Sequence, residues 1–378
     1  MRRSIVALGL LTLLFSPSAP FSGAPADDVQ GAYARVDLVF VLDTTGSMSG
    51  MIAATKQKIW SIVSALTEID SETEIRLGFV AYRDRRDTYV TRRVPLTRDI
   101  DAAYVQLMGF EAGGGGDTPE SVNRALDEAV NLFQWSRAPG TLRVIFLVGD
   151  APPHMDYSND VPYPQSCALA ARMEIRIHTI QCAADPQTRR IWREIASCAR
   201  GDYFAFARPG SRQPIKTPFD WQLALHARLL DKTILPYGSE QQQEAQRKQL
   251  EASRTIDKEA PAEAKAERAR FRARTGSLVA EGDLVSDVQS GATDLASVPE
   301  ERMPPELRRI PAERRRQYVD DLFQKRRGLQ SEIEWFSLER DKYIKDKYSS
   351  RDESLDRRVL RSLLDSREDE SEGEDERD

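Results

Sequence analysis

The sequence predicts an α/β fold: a doubly wound, mainly parallel sheet with helices on both faces, followed by a charged, mostly helical C-terminal region. Three observations predict it. Apolar runs of strand length alternate with segments of helical spacing from residue 36 to residue 235, an aspartate followed by hydroxyl side chains closes the first run, and everything after Gly238 is far more polar than what precedes it. At 378 residues, 40% hydrophobic and 30% charged, the chain has room for one large core plus an accessory region.

Residues 36–42 are apolar apart from Asp37, the pattern of a strand buried on both faces. Residues 51–67 then carry helical spacing through Ile52, Ile59, Ile62, Val63 and Leu66. A second strand at 76–82 ends in a charged turn at 83–87, and 89–96 reads as its antiparallel edge neighbour. Helices at 99–108 and 119–133 flank four consecutive glycines, 113–116. A strand at 143–148, a helix at 164–173, a strand at 175–182 and a helix at 187–199 come next. A short strand at 202–207 and an amphipathic helix at 219–234 close the series. Strands separated by helices of this length form βαβ units, and such sheets take ligands beyond the strand C-termini.

The remainder reads differently. Residues 238–274 hold hardly any large apolar side chain besides Leu250, Ile256 and Phe271, which predicts an exposed helix or a mobile linker, interrupted at Pro261. Residues 276–305 mix turn residues with short apolar pieces, the pattern of a small helical patch. In 312–348, Val319, Leu322, Leu329, Ile333, Phe336, Tyr343 and Ile344 recur at helical spacing, but Arg326, Arg340 and Lys347 fall where a coiled-coil seam would be apolar. Docking on a partner or a helical hairpin is therefore expected over a long dimeric coiled coil, with helix-mediated self-association left open. The acidic end, 367–378, is expected to be disordered. The domain division that follows is 1–26, 36–235, 238–305, 306–366 and 367–378.

Residues 1–26 read as a secretory signal peptide. Arg2 and Arg3 precede an apolar run at 5–15 too short to span a bilayer, and Ala24-Pro25-Ala26 offers a cleavage site. No lipid-accepting cysteine follows, and no later segment is apolar enough to be a transmembrane helix, so the mature chain is expected to be secreted or periplasmic. Export permits disulfides, but the three cysteines allow at most one intrachain bridge. The topology sets Cys182, at the end of a strand, opposite Cys167 in the first turn of the descending helix, with Cys198 far away; two reduced cysteines are the alternative. A net charge of -6 argues against nucleic acid as a partner, and Arg314, Arg315 and Arg316 read as a solvated helix face.

The chemistry concentrates at the first strand tip. Asp43, Thr45 and Ser47 follow D-x-T-x-S, which places alternate side chains of one tight loop toward a common point. Hard oxygens suit Mg²⁺, with Mn²⁺ and Ca²⁺ as alternatives, but a carboxylate and two hydroxyls are half a shell. Thr118, after the glycine run, and Asp150, after the strand at 143–148, sit at the same edge and are expected to complete it. The glycines let the backbone approach the ion, while Thr118 and Pro119 open the next helix as cap and first-turn residue. Asp117, His154 and Arg83 are expected to border the ligand surface, His154 as an exposed loop residue; His178 and His226 read as packing or surface residues.

These motifs resemble the von Willebrand factor A domain family over residues 36–234. Its metal-ion-dependent adhesion site, D-x-S-x-S with a distal threonine and aspartate, is matched by Asp43, Thr45, Ser47, Thr118 and Asp150, with Thr45 in place of the first serine. The resemblance implies a Rossmann-like fold in an exported protein of bacterial type, a metal at the sheet's upper edge, and an open coordination position that a partner's Asp or Glu side chain fills. The function expected is metal-dependent protein binding and not catalysis. A serine-hydrolase elbow fails because Met48 stands where G-x-S-x-G needs its nucleophile. A phosphatase-like hydrolase survives as a weaker alternative, since Thr45 stands where an aspartyl-nucleophile enzyme wants a second carboxylate. A helical scaffold holding a structural metal is a third.

Overall fold

β1 (Arg35–Asp43) is buried along nearly its whole length, and the strands on either side of it leave the chain order: the sheet runs β3-β2-β1-β4-β5-β6. The structure, a computed structural model, describes residues 33–69, 73–205, 215–275, 282–347, 358–359 and 361–363. The expected signal peptide and acidic tail lie outside the described residues. β2 (Glu74–Tyr82), β4 (Thr141–Gly149), β5 (Ile175–Gln181) and β6 (Tyr203–Ala205) are parallel to their neighbours, while β3 (Thr91–Thr97) is the antiparallel edge. This is the mostly parallel, helix-covered sheet that the alternation of apolar runs predicts.

Alternation along β1 feeds two cores. Leu38, Phe40 and Leu42 face α1 (Ile52–Ile69) and α2 (Ile100–Met108); Val39 and Val41 face α3 (Val122–Asn131), α4 (Tyr163–Arg172) and α5 (Pro186–Cys198). Asp37, the one polar residue within the first run, is fully buried because Arg76 and the Ser136 N–H meet both its oxygens.

The same alternation overturns the expected Cys167–Cys182 bridge. Cys182 follows β5 on the face of Ile180, among the residues under α1, whereas Cys167 on α4 packs on the opposite face with Ile175 and Ile177. The sheet lies between them. Cys167 is instead bonded to Cys198, at the end of the adjacent α5, with Cα atoms 5.8 Å apart, and Cys182 is buried outside the bridge.

After α6 (Asp220–Asp231) come α7 (Glu240–Glu259) and α8 (Ala262–Thr275), separated at Pro261. They are helices and not a mobile linker; α7 is largely exposed, as expected, but both helices bury one face. Ile256, Ala260 and Ala264 join the core under α1, and Ala266 and Ala269 pack with Leu223, Leu230, Leu329 and Ile333. Charge is buried here too, but in pairs: Arg268 with Asp101 of α2 and Arg272 with Asp231 of α6. Alanines let the helices approach closely, and each guanidinium brings a carboxylate with it, so a polar composition still forms an interior.

α9 (Leu284–Gln289), two single 3-10 turns and α10 (Pro305–Arg308) form a small separate cluster around Leu284, Val288, Leu307 and Val319. α11 (Ala312–Lys347) lays its apolar stripe on this chain's own α6, α8 and α9. The arginines that interrupt the stripe are ion pairs. Arg326 reaches Asp283 at 2.6 Å, and Arg340 reaches Asp220 at 2.8 Å and Glu267 at 2.7 Å.

Candidate metal centre at the sheet edge

β1 and β4 are neighbours, but β1 leads to a connection toward β2 and β4 to one toward β5. Their C-terminal ends thus open a crevice at the topological switch point. Asp43 is the last residue of β1, and Asp150 follows the last residue of β4. Beyond Asp43 the chain makes a 3-10 turn, Gly46–Gly50, in which Met48 is buried and Ser47 is exposed toward the crevice. Met48, which rules out a hydrolase elbow, anchors the turn that leaves Ser47 exposed, while Thr45 beneath it stays buried.

Four of the five expected oxygens converge. Asp43 Oδ1 accepts from the Thr45 N–H at 2.9 Å and from the Thr45 hydroxyl at 2.6 Å. The Ser47 hydroxyl donates to Asp150 Oδ1 at 3.0 Å, and the Thr45 and Ser47 hydroxyl oxygens are 3.1 Å apart. With each proton given to a carboxylate, hydroxyl lone pairs remain for a cation.

Thr118 is not among them. It is exposed, joined to Pro119 by a cis peptide bond, and makes no side-chain hydrogen bond to these four residues. Nor do Thr118 and Pro119 open α3, which begins at Val122 behind Ser121. The reason is a bridge: the Glu120 N–H donates to the Pro152 carbonyl at 2.9 Å and the Glu120 carbonyl accepts from the His154 N–H at 3.0 Å, holding this stretch extended beside the loop after β4.

That bridge brings in a carboxylate that sequence reasoning passed over. Glu120 is 3% exposed and its Oε2 has no hydrogen-bond partner. Burial, then the charges of Asp43, Asp84, Asp87 and Asp150, push its carboxyl up to about 9. Asp43 is pushed up to about 7, chiefly by burial and further by Asp150, against the Thr45 hydrogen bonds. The buried Tyr82 hydroxyl, also without a partner, is raised by burial and by the same carboxylates. The signal in the sequence was an acid two residues after Thr118, at the far end of the glycine run.

These groups fit a hard divalent cation. Asp43 Oδ2 is buried without a partner, as is Glu120 Oε2, and carboxyl groups confined together in this way are stabilised by a proton or by a cation between them. The set is all oxygen, as Mg²⁺ and its alternatives prefer. Asp43, Thr45, Ser47 and Asp150 are the residues that would hold it.

The glycine run does the steric work expected of it. The Gly114 carbonyl accepts from the Gly46 N–H at 3.0 Å, and the Gly113 N–H donates to the Thr44 carbonyl at 3.0 Å, locking the two loops together. Gly114 and Gly115 both have φ of 70°, a region that favours glycine, and a Cβ on Gly115 would stand 3.1 Å from Glu120 Oε1. Arg83 is a staple and not a ligand-facing side chain: it donates to the Thr44 carbonyl, the Thr88 hydroxyl and the Glu111 carbonyl, and lies over Tyr89. Asp117 is exposed at this edge, as expected, but His154 is not an exposed loop residue; it is 6% exposed, stacked on Tyr157 with ring centroids 4.0 Å apart.

Residues 37–217 match the family model of the von Willebrand factor type A domain, and the mostly parallel, helix-covered sheet of this region has a VWA-like fold. Among curated proteins, an alpha-protein kinase, vwkA of Dictyostelium discoideum, is 33% identical over 123 residues, which are 32% of this chain and 19% of that protein. An ariadne-like RING finger protein of Acanthamoeba polyphaga mimivirus is 30% identical over 122 residues, 32% of this chain and 11% of the other. The chain thus spans less than a fifth of either relative. Among solved structures, BatB from Bacteroides thetaiotaomicron aligns with a TM-score of 0.35 at 16% identity, covering 45% of this chain and 90% of that one. The SpRpn10 VWA domain aligns with a TM-score of 0.35 at 13% identity, covering 46% and 87%.

Proposed function

We propose that this protein is an exported, divalent-metal-dependent protein-binding module. The observation that carries the proposal is the convergence of Asp43, Thr45, Ser47 and Asp150 at the switch point of a VWA domain, with carboxylate oxygens left buried and unpartnered. A divalent ion held there supplies an open position for an anionic oxygen, and the partner group is an Asp or Glu side chain. Asp43 is held by Thr45, Ser47 spans to Asp150 across the crevice, and the Gly113 and Gly114 contacts keep the rim in place. Nothing in this binding role asks a proton transfer of the site. The helical region, packed on the domain, serves as tether or second docking surface, and export rests on the leader pattern of residues 1–26.

Titration calorimetry of the full chain with Mg²⁺ and Mn²⁺ tests the site. Uptake in the wild type, lost in Asp43→Ala with an unchanged circular dichroism spectrum, is expected. Proteins of the exporting compartment should be retained by the immobilised chain only with metal present, and released by chelator. Hydrolysis of a generic phosphate or ester that vanishes in Asp43→Ala would replace the binding role with a catalytic one; absence of any metal uptake would remove both. A mature N-terminus after Ala26, read by mass spectrometry, checks export.

A further inference from the structure

We propose that Asp84, Asp117 and His154 form a second cation site beside the first, one that takes a first-row divalent ion such as Mn²⁺ or Zn²⁺ through mixed nitrogen and oxygen donors. One ligand atom from each of the three residues lies within 4.8 Å of the others. Asp84 and His154 are buried and Asp117 is exposed, so an ion would enter from the solvent side. None of these residues belongs to the Asp43 cluster.

Three such residues in proximity are common without an ion, and the imidazole supplies the independent observation. His154 Nδ1 stands 2.8 Å from Asp156 Oδ1. An ionised carboxylate only accepts, so Nδ1 carries a ring proton, and in the tautomer this fixes Nε2 carries the lone pair. That Nε2 is buried, has no hydrogen-bond partner, and faces Asp84 Oδ2 at 3.6 Å. Two buried acceptors confronting one another repel until positive charge lies between them. A carboxylate on the far nitrogen of an imidazole is also the arrangement that fixes the tautomer of a metal-binding histidine and raises its basicity.

The surroundings position the donors in advance. The Ser121 hydroxyl donates to Asp84 Oδ1 at 2.8 Å and the Tyr157 hydroxyl to Asp84 Oδ2 at 2.9 Å, so the carboxylate cannot rotate away. Tyr157 also stacks on the imidazole, and Arg85, which lies over the Tyr157 ring at 3.8 Å from its centroid, is paired with Asp160 at 3.0 Å. A nitrogen donor with two carboxylates suits Mn²⁺ or Zn²⁺ better than Mg²⁺ or Ca²⁺, which prefer oxygen throughout.

Mn²⁺ uptake by the full chain, followed by electron paramagnetic resonance of the free ion at neutral pH, tests the second site apart from the first. Two equivalents are expected in the wild type, one in Asp43→Ala and one in His154→Gln, with Zn²⁺ displacing the His154-dependent equivalent first. Asp156→Asn changes only an exposed side chain and should weaken that equivalent by about 10–100-fold; Asp117→Asn, also exposed, should weaken it without disturbing the fold. A single equivalent lost in His154→Gln and kept in Asp43→Ala would uphold this inference while sinking the first site. A single equivalent lost in Asp43→Ala and unaffected by His154→Gln, Asp117→Asn and Asp156→Asn would overturn it, leaving a proton between His154 and Asp84.

Discussion

Phe40, Phe79 and Phe146 stack across three strands of the sheet at the same depth at which, in the helical half, Arg268, Arg272, Arg326 and Arg340 lie 3–5% exposed against carboxylates. One half removes apolar surface from water; the other removes charge in pairs and fills the space between helices with alanine. The two interiors are equally dry but have different energetics. Apolar burial is favourable in itself, at about 25 cal/mol per Å². A buried ion pair roughly offsets its own desolvation, so it contributes little net stability while making the loss of one partner severe.

The largest effect tests this contrast directly. Trp192→Ala, a truncation in the sheet half, and Asp101→Ala, which strands Arg268 in the helical half, should each cost about 3–5 kcal/mol in urea denaturation. The halves separate in the compensated variant: Arg268→Met combined with Asp101→Leu should recover most of the loss. If it is as unstable as Asp101→Ala, the ion pairs stabilise the helical half outright and the contrast fails.

Next comes the disulfide, which ties two helices of the sheet half. Cys198→Ser opens a loop with a sequence separation of 31 and should lower stability by roughly 3.5 kcal/mol on a chain-entropy account. Cys182→Ser should leave the bridge intact, and alkylation before and after unfolding will show Cys182 as the protected thiol. A Cys182-containing bridged peptide in a non-reducing digest would reverse the assignment.

The smallest effect concerns a polar group that the apolar half buries. His178 stacks on Phe146, accepts the Asp202 N–H at Nδ1 over 3.0 Å, and also faces Arg176 and Ser362. Burial pulls it down to about 4 from 6.5, with Arg176 acting in the same direction and Asp202 opposing. Between those values the unfolded chain binds the proton and the folded chain does not, so stability is full above pH 6.5 and falls as the pH drops toward 4. The loss is at most about 3 kcal/mol. His178→Phe should flatten this part of the stability curve; an unchanged slope would assign it to the carboxylates.

The strands, the order of helices around them and the aspartates at two strand tips were legible because a buried sheet writes its periodicity into consecutive residues. Asp43, Thr45 and Ser47 were legible for the same reason, lying within five positions of one another. Glu120 was not, since its approach depends on a backbone bridge to Pro152 and His154 that no local pattern announces. His154 looked like a loop residue and is buried because Tyr157 folds over it. The Cys167–Cys198 pairing turned on which face of the sheet Cys182 takes, and α7 and α8 turned on which carboxylate each arginine meets.

By itself the sequence determined the layered sheet, its switch point and the oxygen-rich tip of β1, because these follow from the alternation of apolar and polar residues over a few positions. Only the tertiary structure decided that Glu120 is buried at the metal edge, that His154 faces Asp84, and that the charged helices each bury one face through paired charges. Those outcomes belong to pairs of groups distant in the chain, and the free energy of a buried charge is set by its partner and not by its neighbours in sequence.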